Sequence, residues 1–146
     1  VWEILFNQYG DIHTHNPTMK SSNYMQNAIK GELNCLRHCK FDGKLYVEEK
    51  ISGFTKSDSF TVVVTKHNLP LIKEMSANYH ITSIADEITE VKMTSFVSTS
   101  PGFMIYLMKG QMGKSLVKHL FGLKYYIETG NTVEKHNYSE IFSHYA

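Results

Sequence analysis

Hydrophobic spacing divides the chain into segments of two periods. Ser22–Lys40 carries the clearest helical stripe. At about 100° per residue, Met25, Ala28, Ile29, Leu33, Leu36 and Cys39 share one face, with Ser21 or Ser22 placed to cap the start. Gly110–Phe121 predicts a second helix with Met112, Leu116, Leu120 and Phe121 inward. Strand patterns fill most of the remainder. Phe60–Thr65 (FTVVVT) is a dense β-branched run, and Lys44–Ile51 follows a turn at Asp42-Gly43. His80–Ile84 and Ile88–Val97 read as strands, the second with Val91, Met93, Ser95 and Val97 on one side. Phe103–Met108 is wholly apolar and predicts an interior strand, and Val1–Asn7 and Tyr125–Glu128 predict two more.

Between these runs lie the breakers. Ile12–Met19 and Ser98–Gly102 read as loops, Gly53–Ser59 as a polar turn, and Pro70 as the opening of a short helix reaching Tyr79. Thr129-Gly130-Asn131 is a tight turn, and a last helix starts near Asn137. The pattern therefore predicts a β-rich α+β fold with one main amphipathic helix. With 146 residues, 42% of them hydrophobic, residues 1–146 make a single domain able to bury a core.

Charge narrows the chemistry. The formal net charge is +1, so no global field favours nucleic acid. Arg37 is the only arginine, which excludes a site built on several arginine forks. Cys35 and Cys39 sit four apart on the predicted helix, poorly placed to bridge, so reduced thiols and an intracellular setting follow. No apolar run approaches the ~18 residues of a spanning helix, and no membrane partner is expected. The chain opens without methionine, as a segment cut from a longer polypeptide would.

Several short patterns compete as sites. In Asp11-x-His13-x-His15, two imidazoles on an extended chain point to one side, for proton transfer, a metal, or only a polar loop. No spacing supplies further ligands, so no metal is expected. Cys35-x-x-His38-Cys39 lacks a second ligand pair and reads as structural. Lys109-Gly110-Gln111-Met112-Gly113-Lys114-Ser115 follows an apolar run, but the first glycine of a phosphate loop would fall at Met108. That leaves Lys109 and Lys114 as weak anion-binding candidates at a helix start, or as solvated lysines. Glu90-Val91-Lys92 fits alternating charge on an exposed strand. Tyr138 has Lys135 nearby, and a cation can lower a phenol pKa toward that of a base.

Glu128-Thr129-Gly130-Asn131-x-Val133 followed by His136-Asn137-Tyr138-Ser139-x-Ile141 resembles the active-site segment of the poxins, viral nucleases of cyclic GMP–AMP. His13-Thr14-His15-Asn16-Pro17 before Ser21-Ser22 resembles the family's catalytic-histidine stretch. Between these ends only the order of elements matches, with Ile51–Thr65 resembling an early aromatic-rich hairpin. The resemblance implies a chymotrypsin-like, viral protease-like barrel pair, with His15 and Tyr138 catalytic and His13 and Lys135 as weaker candidates. Phe142 occupies the position of the family's catalytic lysine, one turn after the tyrosine.

The activity so implied is metal-independent, cofactor-free phosphodiester cleavage by 2′-hydroxyl attack, by a hydrolase of immune evasion in the host cytoplasm. Its partner would be a cyclic dinucleotide, and the reading leaves room for a homodimer. The alternatives are a catalytically degenerate poxin-like binding or interaction domain of a viral polyprotein, and a self-cleaving protease of the same fold. The protease reading lacks a Gly-x-Ser-Gly nucleophile turn.

Overall fold

Alternation along Phe60–Thr65 locates the sheet: Phe60 and Val62 are buried while Thr61 and Val63 are half-covered. A computed structural model describes residues 1–145 and shows a β-rich α+β fold built around six antiparallel strands. These are β1 (Ser21–Tyr24), β2 (Leu36–Lys40), β3 (Tyr46–Thr55), β4 (Ser59–His67), β5 (Ile72–Ala85) and β6 (Ile88–Thr99). Their order in the sheet is their order in the chain, so each pairs with the next through a hairpin. Two helices follow, α1 (Met104–Thr129) and α2 (Tyr138–Tyr145). Among the described residues, no helix is long and apolar enough to cross a membrane.

The expected barrel pair is not what this topology makes. One sheet holds all six strands, and its edge strands β1 and β6 pair with their sequence neighbours alone. Among the described residues this uninterrupted meander is the one sheet, with no second to close into another barrel.

The expected Ser22–Lys40 helix is instead two strands around a loop. Asn27, Gly31 and Asn34 all take left-handed backbone angles, with φ of 66°, 74° and 65°, which a right-handed helix cannot hold. Ile29 and Leu33, placed inward by the helical period, are 67% and 50% exposed. The period that operates in β2 is two. Cys35, Arg37 and Cys39 are buried, and the inward position between the two cysteines belongs to an arginine. A charged residue there hid the strand.

Three apolar runs expected as strands fold as helix. Val1–Asn7 contains a π-helical turn, Glu3–Asn7, followed by a 3₁₀ segment, Tyr9–Thr14, where a loop was expected from Ile12. Leu5 and Phe6 are buried, and Trp2 stacks on Phe6 with ring centroids 4.4 Å apart. Phe103–Met108 and Tyr125–Glu128 are the two ends of α1, which extends the expected Gly110–Phe121 helix in both directions. Short apolar runs cannot separate a buried strand from a helix by composition alone. Here Ile105, Met108, Met112 and Leu116 fall at helical spacing along one cleft. The short helix expected after Pro70 is absent: from Ile72 the chain is β5, paired with β6 almost to its end.

The core lies between the sheet's inner face, the N-terminal turns and the C-terminal half of α1. Ile51, Phe60, Val62, Tyr79 and Ile81 meet Leu5, Phe6 and Leu123 there. Gly122 fixes how close α1 comes: a Cβ on it would lie 2.3 Å from the carbonyl oxygen of His15 and 2.9 Å from Pro17. The turn expected at Thr129-Gly130-Asn131 forms, with Gly130 at φ 74° ending α1.

Truncating Ile51, fully buried, to alanine should cost about 2–5 kcal/mol in chemical denaturation. Leu33→Ala, in the exposed loop, should change stability by no more than about 0.5 kcal/mol. Gly122→Ala should cost about 1–3 kcal/mol, because the obstacle is backbone. A neutral Gly122→Ala would mean that α1 does not seat against His15.

Candidate functional site

A charged network occupies the centre of the core. Arg37 projects inward from β2 and is 3% exposed. Its Nε donates to Glu49 of β3 at 2.7 Å, its Nη2 meets the same oxygen at 2.7 Å, and Nη1 donates to the Tyr9 carbonyl at 2.9 Å. The guanidinium lies 3.8 Å from the centre of the Tyr9 ring. Burial is the largest influence and opposes its charge, but Glu49 together with Tyr9, Cys39 and Tyr79 outweighs it and holds the arginine protonated. Cys39 lies at hydrogen-bonding range of Glu49, 3.9 Å, and burial pushes its thiol pKa up to about 12. It is an inert thiol.

His15 belongs to this interior. Its ring stacks on His119 of α1 with centroids 5.5 Å apart, and its Nδ1 has no hydrogen-bond partner. Burial first, then the charge of Arg37, lowers its pKa to about 3, so it is neutral. His119 is driven in the same direction by burial. Its Nε2 lies 3.1 Å from the Tyr79 hydroxyl. Burial keeps that phenol protonated, so it donates to Nε2 and puts the imidazole proton on Nδ1, which has no partner either.

The other sequence candidates disperse. His13 is exposed and its Nδ1 sits 2.7 Å from the Ser22 hydroxyl. Asp11-x-His13-x-His15 lies on the 3₁₀ segment and its end, not on an extended chain, so its imidazoles diverge. Cys35 and Cys39 face the core from around β2, while His38 stacks on Tyr46 at 5.2 Å. Tyr138 opens α2 and packs edge-on against Phe121 and in parallel with Phe142. Lys118, not Lys135, lies over its ring, 5.3 Å away. Burial raises the Tyr138 pKa, the reverse of the lowering expected beside a lysine. Lys109 and Lys114 lie within α1, which begins at Met104, so no helix start adjoins them.

Three clefts bear on the rest. A polar one of about 780 Å³ lies between the 13–20 segment and the tail and is lined by His13, Lys20, Asp42, Lys135 and His136 among others. Lys135 there is paired with Asp42. A smaller neighbour holds Lys118, Lys135 and Tyr138. Neither is lined by His15, and neither joins a histidine to Tyr138.

The second large cleft, about 680 Å³, opens between the N-terminal half of α1 and the sheet. Leu69, Ile72, Met75 and Val97 form its floor, and Ile105, Met108, Met112 and Leu116 its roof. Ser95, Lys109, Gln111 and Ser115 are the polar side chains among its lining residues. Sequence reading missed this site because it split the roof between a strand and a helix. The helical spacing of the methionines in Met104–Met112 was the available sign, as was His119 continuing that stripe.

No family model and no curated protein matches the chain. Solved structures do. A Nitrosospira multiformis protein from structural genomics superposes with a TM-score of 0.59 at 12% identity, over 80% of this chain and 81% of its own. Ginseng (Panax ginseng) major latex-like protein 151 gives 0.53 at 12% identity, over 80% and 85%. Both likenesses are of fold.

The neutral buried histidines make stability pH-dependent. Both pKa values are depressed on folding, so their contribution is complete above the unfolded value of 6.5 and is lost as pH falls toward the folded one. Each adds up to about 1.4 kcal/mol of loss per pH unit. Urea unfolding should therefore weaken between pH 6.5 and 5, and His15→Leu should flatten that slope. An unchanged slope would place the His15 ring in contact with solvent.

Proposed function

We propose that this chain is a binding module that holds an apolar or amphipathic small molecule between α1 and the sheet. The observation that carries the reading is the 680 Å³ cleft with its methionine-rich roof and few polar atoms. Drug-sized ligand sites are of this volume, mostly apolar, with a handful of polar groups that orient the ligand. Methionine suits the role because its unbranched, polarizable side chain repacks around different shapes. Lys109 and Gln111 at the edge suit a ligand with a hydroxyl or acidic end. The likeness in fold to the two solved structures adds no ligand of its own.

A second reading keeps the poxin resemblance: metal-independent cleavage of cyclic GMP–AMP, in a viral polyprotein setting and a host cytoplasm. Its support is the polar cleft, which His13, Lys20, Lys135 and His136 line together. Against it stand the burial of His15 and the aromatic packing of Tyr138. Product analysis after incubation with cyclic GMP–AMP separates the two readings, and we expect no product. A linear dinucleotide that forms in EDTA and disappears in His13→Ala would replace the binding reading with the nuclease one.

For the binding reading, 8-anilinonaphthalene sulfonate should bind the folded chain, and a long-chain fatty acid should displace it. Val97→Trp, which fills the floor of the cleft, should weaken probe binding about tenfold or more, the scale of a lost buried contact. A fatty acid at a hundred times its dissociation constant should add about 2.7 kcal/mol of stability in thermal unfolding. Probe binding unaltered by Val97→Trp would put the ligand elsewhere.

A further inference from the structure

The rim of the apolar cleft carries large side chains that none of the described residues covers. Tyr106 and Leu107 are each 72% exposed in the first turn of α1, and Phe103 just before it is 62% exposed. Leu71 belongs to the same end. It is 43% exposed at a left-handed φ of 64°, and its carbonyl accepts from the Ser100 N–H at 2.9 Å. Pro70, Ile72, Ile105 and Met108, neighbours of these residues in the chain, line the cleft itself. The exposed group is therefore a contiguous rim, unlike the single apolar residues scattered over an ordinary surface.

Charge says what kind of surface would cover it. From Met104 to Leu123, α1 contains Lys109, Lys114 and Lys118 and no aspartate or glutamate, while Lys124 near its far end pairs with Glu128. Lys109 sits beside the rim, its Nζ 5.6 Å from the centre of the Tyr106 ring. Glu74 is the nearest carboxylate along β5. A second copy applied to this end would set lysine against lysine. Aromatic and apolar tips flanked by lysine suit a lipid–water interface, where the rings lie at headgroup level and the ammonium groups meet anionic lipid.

We propose that this end of the molecule docks on the surface of an anionic lipid bilayer. Phe103, Tyr106 and Leu107 enter the headgroup region, and Lys109 meets the lipid phosphates. Such docking needs no spanning helix, and it turns the mouth of the cleft toward the membrane. It goes beyond the binding reading above, and it is measured without any ligand, so failure of one leaves the other standing.

The experiment is co-sedimentation of the ligand-free chain with vesicles of phosphatidylcholine alone, or of phosphatidylcholine mixed with phosphatidylserine. Binding to the mixed vesicles is expected to fall as salt is raised, because surface charges are screened. The triple variant Phe103→Ser, Tyr106→Ser, Leu107→Ser should lose about tenfold or more of that binding with its thermal midpoint retained, all three side chains being exposed. Lys109→Glu, which leaves every apolar side chain in place, should weaken it in the same direction. Wild-type protein left in the supernatant with both vesicles would overturn the proposal, as would full binding by the triple variant. Equal binding to neutral and anionic vesicles would overturn the anionic assignment. A dimer in solution that the triple variant dissociates, without vesicle binding, would assign the rim to a second copy.

Discussion

Arg37 carries a permanent charge into the middle of the core, and the surrounding structure is arranged to meet it. Glu49 on the adjacent strand neutralises it, the Tyr9 carbonyl takes another N–H, and the Tyr9 ring covers its flat face. A buried pair of this kind is weak as a source of net stability, yet removing either partner leaves a charge stranded and costs several kcal/mol. That asymmetry enforces position. β2, β3 and the N-terminal turns have one relative placement in which the guanidinium is satisfied. Burial disfavours protonation of His15 and His119, and the same charge adds to the effect, so both imidazoles beneath α1 stay neutral.

α1 consequently has two unlike halves. Its C-terminal half is seated: Gly122 admits the His15 backbone, Leu123 enters the core, and His119 accepts from Tyr79. Its N-terminal half roofs the apolar cleft and carries Gly110 and Gly113, each less favourable in a helix than alanine by about 1 kcal/mol. With nothing within 4 Å of a Cβ placed on either glycine, close packing does not explain them. A helix fixed at one end and lightly held at the other leaves a space beside the sheet, and the binding reading rests on that division.

The tail shows how a local likeness and a global fold can separate. Thr129-Gly130-Asn131 turns as expected, and α2 begins at Tyr138, next to the expected Asn137. Turn chemistry is local, set by glycine's freedom at positive φ, and many architectures can carry the same few residues. What the tail meets is not local. Tyr138 lands on Phe121 and Phe142, and His15, at the other end of the chain, goes under α1.

The sequence by itself determined the β-rich α+β class, the strands within β3, β4, β5 and β6, the centre of α1, and the turn into α2. In each, side-chain period and turn residues agree with the burial that follows. Tertiary structure alone decided the rest. Ser22–Lys40 has helical spacing, but three left-handed residues and the pairing of Arg37 with Glu49 across two strands make it a hairpin arm. Phe103–Met108 is apolar throughout, and only its place over the sheet sorts roof from exposed rim. His15 and Tyr138 were legible as titratable residues but not as neighbours. Distance between chain ends depends on how the whole sheet and helix pack, and no local period encodes it.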